Sequence, residues 1–159
     1  MIDGFDLPFD DEADALLPTS PPIATLAVVV DCSDTDEALA AIRAFATANG
    51  FDVLAGGAEP YDKLGPHARV WLHLRLPACR TNREAADLAE RLAARVCDPA
   101  HLAAELPTVF YEEDGSMHYE RIFDSRMHPV ILPRALWLNL ELDTGAGPQR
   151  DLAVASGMR

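Results

Sequence analysis

Apolar positions fall into two periods along this chain. Ile23 to Val30 is an unbroken apolar, largely β-branched run between Pro22 and Asp31, the pattern of a central strand buried on both faces. Ala68, Val70, Leu72, Leu74 and Leu76 alternate with Arg69, Trp71, His73 and Arg75, which predicts a strand with one core face and one polar, aromatic face. Leu136, Leu138, Leu140 and Leu142 alternate with Trp137, Asn139 and Glu141 and predict a last strand over 135–142. Two other segments carry the helical period. Asp34-x-x-Glu37 is a capping box, Leu39, Ile42, Phe45 and Ala46 form one face, and Asn49-Gly50 marks the stop. Thr81-x-x-Glu84 opens a second helix to about Val96, with Ala85, Leu88, Ala89, Leu92 and Val96 as its stripe. Asp98-Pro99 starts a short third helix to about Glu105.

The remaining segments are read from turn signals. Phe51 to Ala55 is a short strand ended by Gly56-Gly57, and residues 58–67 form a loop. Asp114-Gly115, between 108–113 and 117–123, predicts a β-hairpin. Residues 124–134 are irregular and 144–159 are a frayed terminus. Residues 1–22 hold six acids, four prolines and no base, the composition of a disordered acidic tail. Residues 23–143 then make a single α+β domain. Its order β-α-β-β-α opens like a ferredoxin-like split βαβ sandwich, extended by the short helix, the hairpin and the C-terminal strand. A doubly wound parallel sheet is disfavoured, because no helix separates the second and third strands.

Composition narrows the function classes. The 159 residues suit one domain, and 49% hydrophobic with 25% charged residues is globular. The net charge of −13 is concentrated: residues 1–62 hold 13 acids and one base, Arg43. Such a surface repels nucleic-acid phosphates and anionic membranes and suits a protein partner with a basic or hydrophobic groove. No apolar run reaches the roughly 18 residues of a membrane span, and Met1-Ile-Asp-Gly-Phe-Asp reads as no signal peptide, so a cytoplasmic location is expected. Cys32, Cys79 and Cys97 form no CxxC and are expected as reduced thiols. Gly56-Gly57 lacks the pattern of a phosphate loop, Ser33, Ser116 and Ser125 lie in no GxSxG elbow, and no cofactor is expected.

Two sets of residues are candidates for function. The first is a partner-binding set: Phe5, Leu7 and Phe9 as apolar anchors, Asp10 and Asp11 as steering charges, and Trp71, Arg75, Glu112 and Glu113 on the body. It points to a small, non-enzymatic protein-binding regulator of the inhibitor, antitoxin, immunity or adaptor type. Trp71 also has a structural reading, packing with Trp137 across the sheet. The second set is Glu112, His118, Glu120 and His128, where carboxylates beside imidazoles suit metal-assisted or acid/base chemistry. On a strand, His118 and Glu120 share one face. A third reading is a nucleic-acid mimic, and an uncovered sheet face also suits a homodimer.

The order of elements, the helix exit Asn49-Gly50-Phe51-Asp52-Val53 and the segment Phe110-Tyr111-Glu112-Glu113-Asp114-Gly115 look a little like the acidic ferredoxin-like regulators of ribonuclease activity of the B type, over about residues 23–115. The Trp-Gly signature of that family before the aromatic strand is absent, and the acidic tail lies at the other end of the chain. The resemblance implies a ferredoxin-like regulator.

Overall fold

A computed structural model describes residues 13–14, 22–63, 65–125, 130–132 and 134–145. The elements follow in the order β1 (Ile23–Val30), α1 (Thr35–Ala48), β2 (Asp52–Tyr61), β3 (His67–Arg75), α2 (Asn82–Val96), α3 (Pro99–Ala104), β4 (Thr108–Tyr111), β5 (Met117–Asp124) and β6 (Ala135–Asp143). No helix among the described residues is long and apolar enough to cross a membrane.

The helix ends are set by local chemistry. The Asp34 carboxylate caps α1 by accepting from the N–H groups of Asp36 and Glu37. At the other end Gly50 takes φ +77°, its N–H donates to the Thr47 carbonyl, and the Phe51 N–H donates to the Ala46 carbonyl. That pair of bonds is a Schellman stop, and its left-handed residue is the reason for glycine. Thr81 Oγ1 accepts from the Glu84 N–H at the start of α2, and Asp98 accepts from the Ala100 N–H with Pro99 behind it at the start of α3.

The strands form one six-stranded antiparallel sheet in the order β2-β3-β1-β6-β5-β4. This order differs from that of a plain ferredoxin-like sandwich. The first strand after the second helix, β4, goes to the far edge, and β6 takes the place beside β1. Length explains the exchange. β6 pairs along the whole of β1, from Ile23 opposite Asp143 to Val30 opposite Ala135, whereas β4 has only four residues.

One face of the sheet carries the core. Ala24, Leu26, Val28 and Val30 of β1, Ala68, Val70, Leu72 and Leu74 of β3, Leu138, Leu140 and Leu142 of β6, and Met117, Tyr119 and Phe123 of β5 join one cluster. Ile42 and Ala46 of α1, and Ala85, Ala89, Ala93 and Val96 of α2, close it from the helix side. The alternation in the sequence thus selects the helix-covered face, and small alanines let the helices approach.

β2 is longer than its sequence suggests. It runs to Tyr61, straight through Gly56-Gly57, and these glycines are not a turn. Each permits a close approach: a Cβ on Gly57 would lie 2.4 Å from Trp71 Cζ2, and one on Gly56 would lie 2.5 Å from Leu72 Cδ2. Both β3 neighbours fill the space that a β2 side chain would need.

A buried ion pair joins the hairpin to α2. Glu90 and Arg121 are 2% and 5% exposed. Arg121 Nε donates to Glu90 Oε1 and Nη2 to Oε2, both at 3.0 Å, and the Tyr119 hydroxyl donates to Oε1 at 3.1 Å. Arg121 Nη1 reaches the Glu105 carbonyl at 2.7 Å and so ties down the chain after α3. Burial pushes the Glu90 carboxyl up, against the opposing pull of Arg121 and Tyr119. A second buried polar chain fixes the hairpin turn. Asn82 Nδ2 donates to the Gly115 carbonyl, the Thr144 hydroxyl donates to Asn82 Oδ1, and the Met117 N–H donates to the Thr144 hydroxyl.

Removing one partner of a buried pair strands the other charge, which costs about 3–5 kcal/mol. Glu90→Gln is therefore expected to lower the melting temperature by roughly 6–20 °C, by the size scaling for such a domain. The double variant Glu90→Leu/Arg121→Met recovers most of that loss in thermal denaturation. A double variant no more stable than the single one would show that the stranded charge is not the cause.

Candidate functional site

The second face of the sheet carries the chemistry. The register aligns its side chains in rungs across the strands. One rung reads Asp52, Arg75, Ile23, Asp143, His118, Phe110, and the next Ala55, His73, Thr25, Glu141, Glu120, Thr108. A third reads Gly57, Trp71, Ala27, Asn139, Ile122, and a fourth Glu59, Arg69, Val29, Trp137, Asp124. Along β1 this face is buried except at the half-buried Thr25, while at β5 and β4 it opens to solvent, with Ile122 51% and Phe110 48% exposed.

His118, Glu120 and Glu141 come together in the middle of the solvent-facing half. Each offers one ligand atom, and these atoms lie within 4.8 Å of one another. His118 and Glu120 are two apart on β5, and the β5–β6 register places Glu141 opposite Glu120. The Phe110 ring stacks on His118 with centroids 4.8 Å apart and holds the imidazole in place. Asn139 bridges the acids: its Nδ2 donates to Glu120 Oε2 and to Glu141 Oε1, both at 3.3 Å. That orientation of the amide is required, because a flipped Asn139 would turn its oxygen on two carboxylates. Its Oδ1 is left buried with no hydrogen-bond partner among the described residues.

Two carboxyl groups this close favour a shared proton. A hydrogen bond to Glu141, and then burial, push the Glu120 carboxyl up. A cation between the two would relieve the same repulsion. Histidine nitrogen with two carboxylates is a donor set for Zn²⁺, Mn²⁺ or Fe²⁺, and three protein ligands leave coordination positions open for water or another ligand.

The sequence candidates divide accordingly. His118 and Glu120 are in the cluster, with Tyr119 between them turned into the core. Glu112 is not: it lies exposed at the hairpin turn beside Glu113, where its N–H donates to the Ser116 carbonyl. Glu141 takes its place. Its signal was available, since it lies on the polar side of the last strand, but only the pairing of β6 with β5 brings it there. His128 lies outside the described residues, as do Phe5, Leu7, Phe9, Asp10 and Asp11. Of the acidic segment, Ala13 is buried in the core cluster and Asp14 pairs with Arg83 at 2.9 Å.

Trp71 is half-buried and its ring covers Gly57, while Arg75 is exposed at the end of β3. Trp71 and Trp137 are not a cross-strand pair, because β1 runs between their strands. His73, also on this face, is buried and lies 3.2 Å by its Nδ1 from the Thr25 hydroxyl, a hydrogen bond. The cysteines are free thiols. The Cys79 thiol is pushed up to about 11 by burial and by Glu84, and burial also raises Cys97, so neither suits nucleophilic chemistry.

Comparison with protein-family models, curated proteins and solved structures finds no match. The resemblance noted in the sequence rests on the two short segments that carry it. The functional argument therefore rests on the site.

The crowded acids make stability pH-dependent. The raised Glu120 holds its proton more tightly folded than unfolded. Its contribution is full below the ordinary glutamate pKa and is lost as pH rises through the raised folded value. In metal-free buffer at pH 7, Glu120→Gln is expected to melt about 1–3 °C above the parent, a small gap because the group is largely solvated. The gap should close below about pH 4, where glutamate is protonated in both states. Thermal melts at the two pH values check this; an equal gap at both would remove the repulsion from the account.

Proposed function

We propose that the domain binds a divalent transition-metal cation through His118, Glu120 and Glu141 and presents it, with open coordination positions, on the solvent-facing half of the sheet. The observation that carries the reading is the convergence of one imidazole and two carboxylates from two strands within 4.8 Å. The crowding of Glu120 by Glu141 supports it, because a cation replaces the proton that the pair otherwise needs. The Asn139 amide orients both carboxylates as an outer hydrogen-bond donor, which is how metal ligands are commonly held. Open positions on such an ion are what metal-assisted hydrolysis uses.

After stripping with a chelator, the full chain is expected to bind one Mn²⁺ or Zn²⁺ in calorimetric titration. Glu141→Gln should bind at least about tenfold more weakly, since even the loss of an outer hydrogen-bond partner of a metal ligand costs about that much. Absence of heat and of any thermal shift with Mn²⁺, Zn²⁺ and Fe²⁺ would overturn the reading.

A second reading is favoured by one observation, the exposed Ile122 and Phe110 next to the cluster. In it the domain is a non-enzymatic regulator, and a protein partner with a basic or hydrophobic groove docks on this face. In this reading Glu112 and Glu113 of the adjoining hairpin, with Trp71 and Arg75 farther along the sheet on β3, would join the contact. The two readings separate cleanly. A partner lost with Ile122→Asp but retained with Glu141→Gln favours docking, and a homodimer broken by Ile122→Asp makes the partner a second copy.

We also read the quartet β2-β3-β1-β6, antiparallel throughout, as a ferredoxin-like split βαβ core with the β4–β5 hairpin inserted ahead of its last strand. The positions of α1 and α2 in the chain support this.

A further inference from the structure

One cavity lies away from the acid cluster. It has a volume of about 460 Å³, within the range of small-molecule sites. Three elements meet there: the turn from α1 into β2, the end of β3, and the Leu88–Arg95 stretch of α2. Its walls mix two chemistries. Phe51, Leu76, Leu88 and Leu92 supply apolar surface, and Arg75, Arg91 and Arg95 supply three positive charges against the single acid Asp52.

That charge balance is the reverse of the chain's. The protein has 26 acids to 13 bases, and four of its other arginines are drawn into ion pairs, while Arg43 and Arg134 form none among the described residues. Arg69 pairs with Glu59, Arg80 with Glu84, Arg83 with Asp14 and Arg121 with Glu90. Arg75 and Arg91 have no ion pair and no hydrogen bond among the described residues. Arg95 is fixed by a different device: its Nη1 donates to the Asn49 carbonyl at 2.8 Å, and its guanidinium lies 5.8 Å from the centre of the Phe51 ring. Arg91 and Arg95 are four apart on α2, a spacing at which like charges destabilise a helix. Arg95 suits the last turn of α2 through the helix dipole, but no ion pair accounts for Arg75 or Arg91 among the described residues.

We infer that this cavity binds a small amphipathic organic anion, its carboxylate or phosphate head among Arg75, Arg91 and Arg95 and its apolar body against Leu76, Leu88 and Leu92. Guanidinium groups suit this head chemistry, because their planar forks match carboxylate and phosphate oxygens. The leucines, two of them four apart on the same side of α2, suit the body. The site is separate from the His118–Glu120–Glu141 cluster, which lies on β5 and β6, across β1 from β3.

The test is calorimetric titration of the full chain with octanoate, octyl phosphate, octanol and inorganic phosphate. Octanoate or octyl phosphate is expected to bind at least about tenfold more tightly than octanol or phosphate alone, because only they use both walls. The tighter of the two identifies the head group. Arg75→Gln/Arg91→Gln should weaken that binding by about tenfold or more without lowering the melting temperature, since both side chains are exposed and unpaired. Glu120→Gln should leave it unchanged. Failure of both octyl anions to bind, equal binding of octanol, or unchanged binding by the arginine double variant would overturn the inference.

Discussion

The buried pair of Glu90 and Arg121 is the constraint on which the hairpin half of the molecule depends. Arg121 sits on a strand whose side chains alternate, so fixing its direction fixes every neighbour. With Arg121 turned inward to Glu90, Met117, Tyr119 and Phe123 are also inward, and His118, Glu120 and Ile122 must face the other way. A slip of one residue would bury His118 and Glu120 in the core and leave Glu90 without its counter-charge. An apolar pair would not penalise that slip so heavily, because one aliphatic side chain substitutes for another at modest cost. The ion pair thus acts on register as much as on stability, and register decides which side chains reach the second face.

That second face shows how a sheet assembles chemistry that no local segment contains. His118 and Glu120 arise from one strand, Glu141 and Asn139 from another, and Phe110 from a third. Each is ordinary alone. Together they place two acids against each other at a site where Asn139 restrains both and Phe110 restrains the imidazole. The arrangement costs stability at neutral pH, which a solvated hairpin face would not need to bear. A ligand that neutralises the acids turns that cost into affinity.

What the sequence revealed and what it hid follow the same physical division. Caps, stops and alternation are local, and Asp34, Thr81, Asp98 and Gly50 act as their neighbours require. The alternating leucines of β3 and β6 likewise identify the core face from the chain alone. The failures are all long-range. Gly56-Gly57 has a turn composition, but its purpose is the Trp71 ring and the Leu72 side chain on the next strand. Glu90 and Arg121 have the polarity of surface residues, and only the α2–β5 packing makes them an interior pair. Glu141 and the place of β6 beside β1 depend on strand order, which the turn signals do not encode. For the cluster, the strand face bearing His118 and Glu120 was legible, and its third member, Glu141, was not.

The distribution of charge then links the two ends of the molecule. An acidic surface raises the local concentration of cations and lowers that of anions. This assists a cation at His118, Glu120 and Glu141 before any coordination bond forms. It opposes an anion everywhere except where positive side chains cluster without partners. Arg75 and Arg91, beside the backbone-held Arg95, make such a place, and their apolar surroundings matter for the same reason. A bare inorganic anion meets the repulsion of the whole chain with only the arginines to offset it, whereas an anion with an apolar body adds burial that the field does not touch. If both proposals hold, the chain's acidity would act as a filter, favouring cations at the sheet and amphipathic anions at the groove.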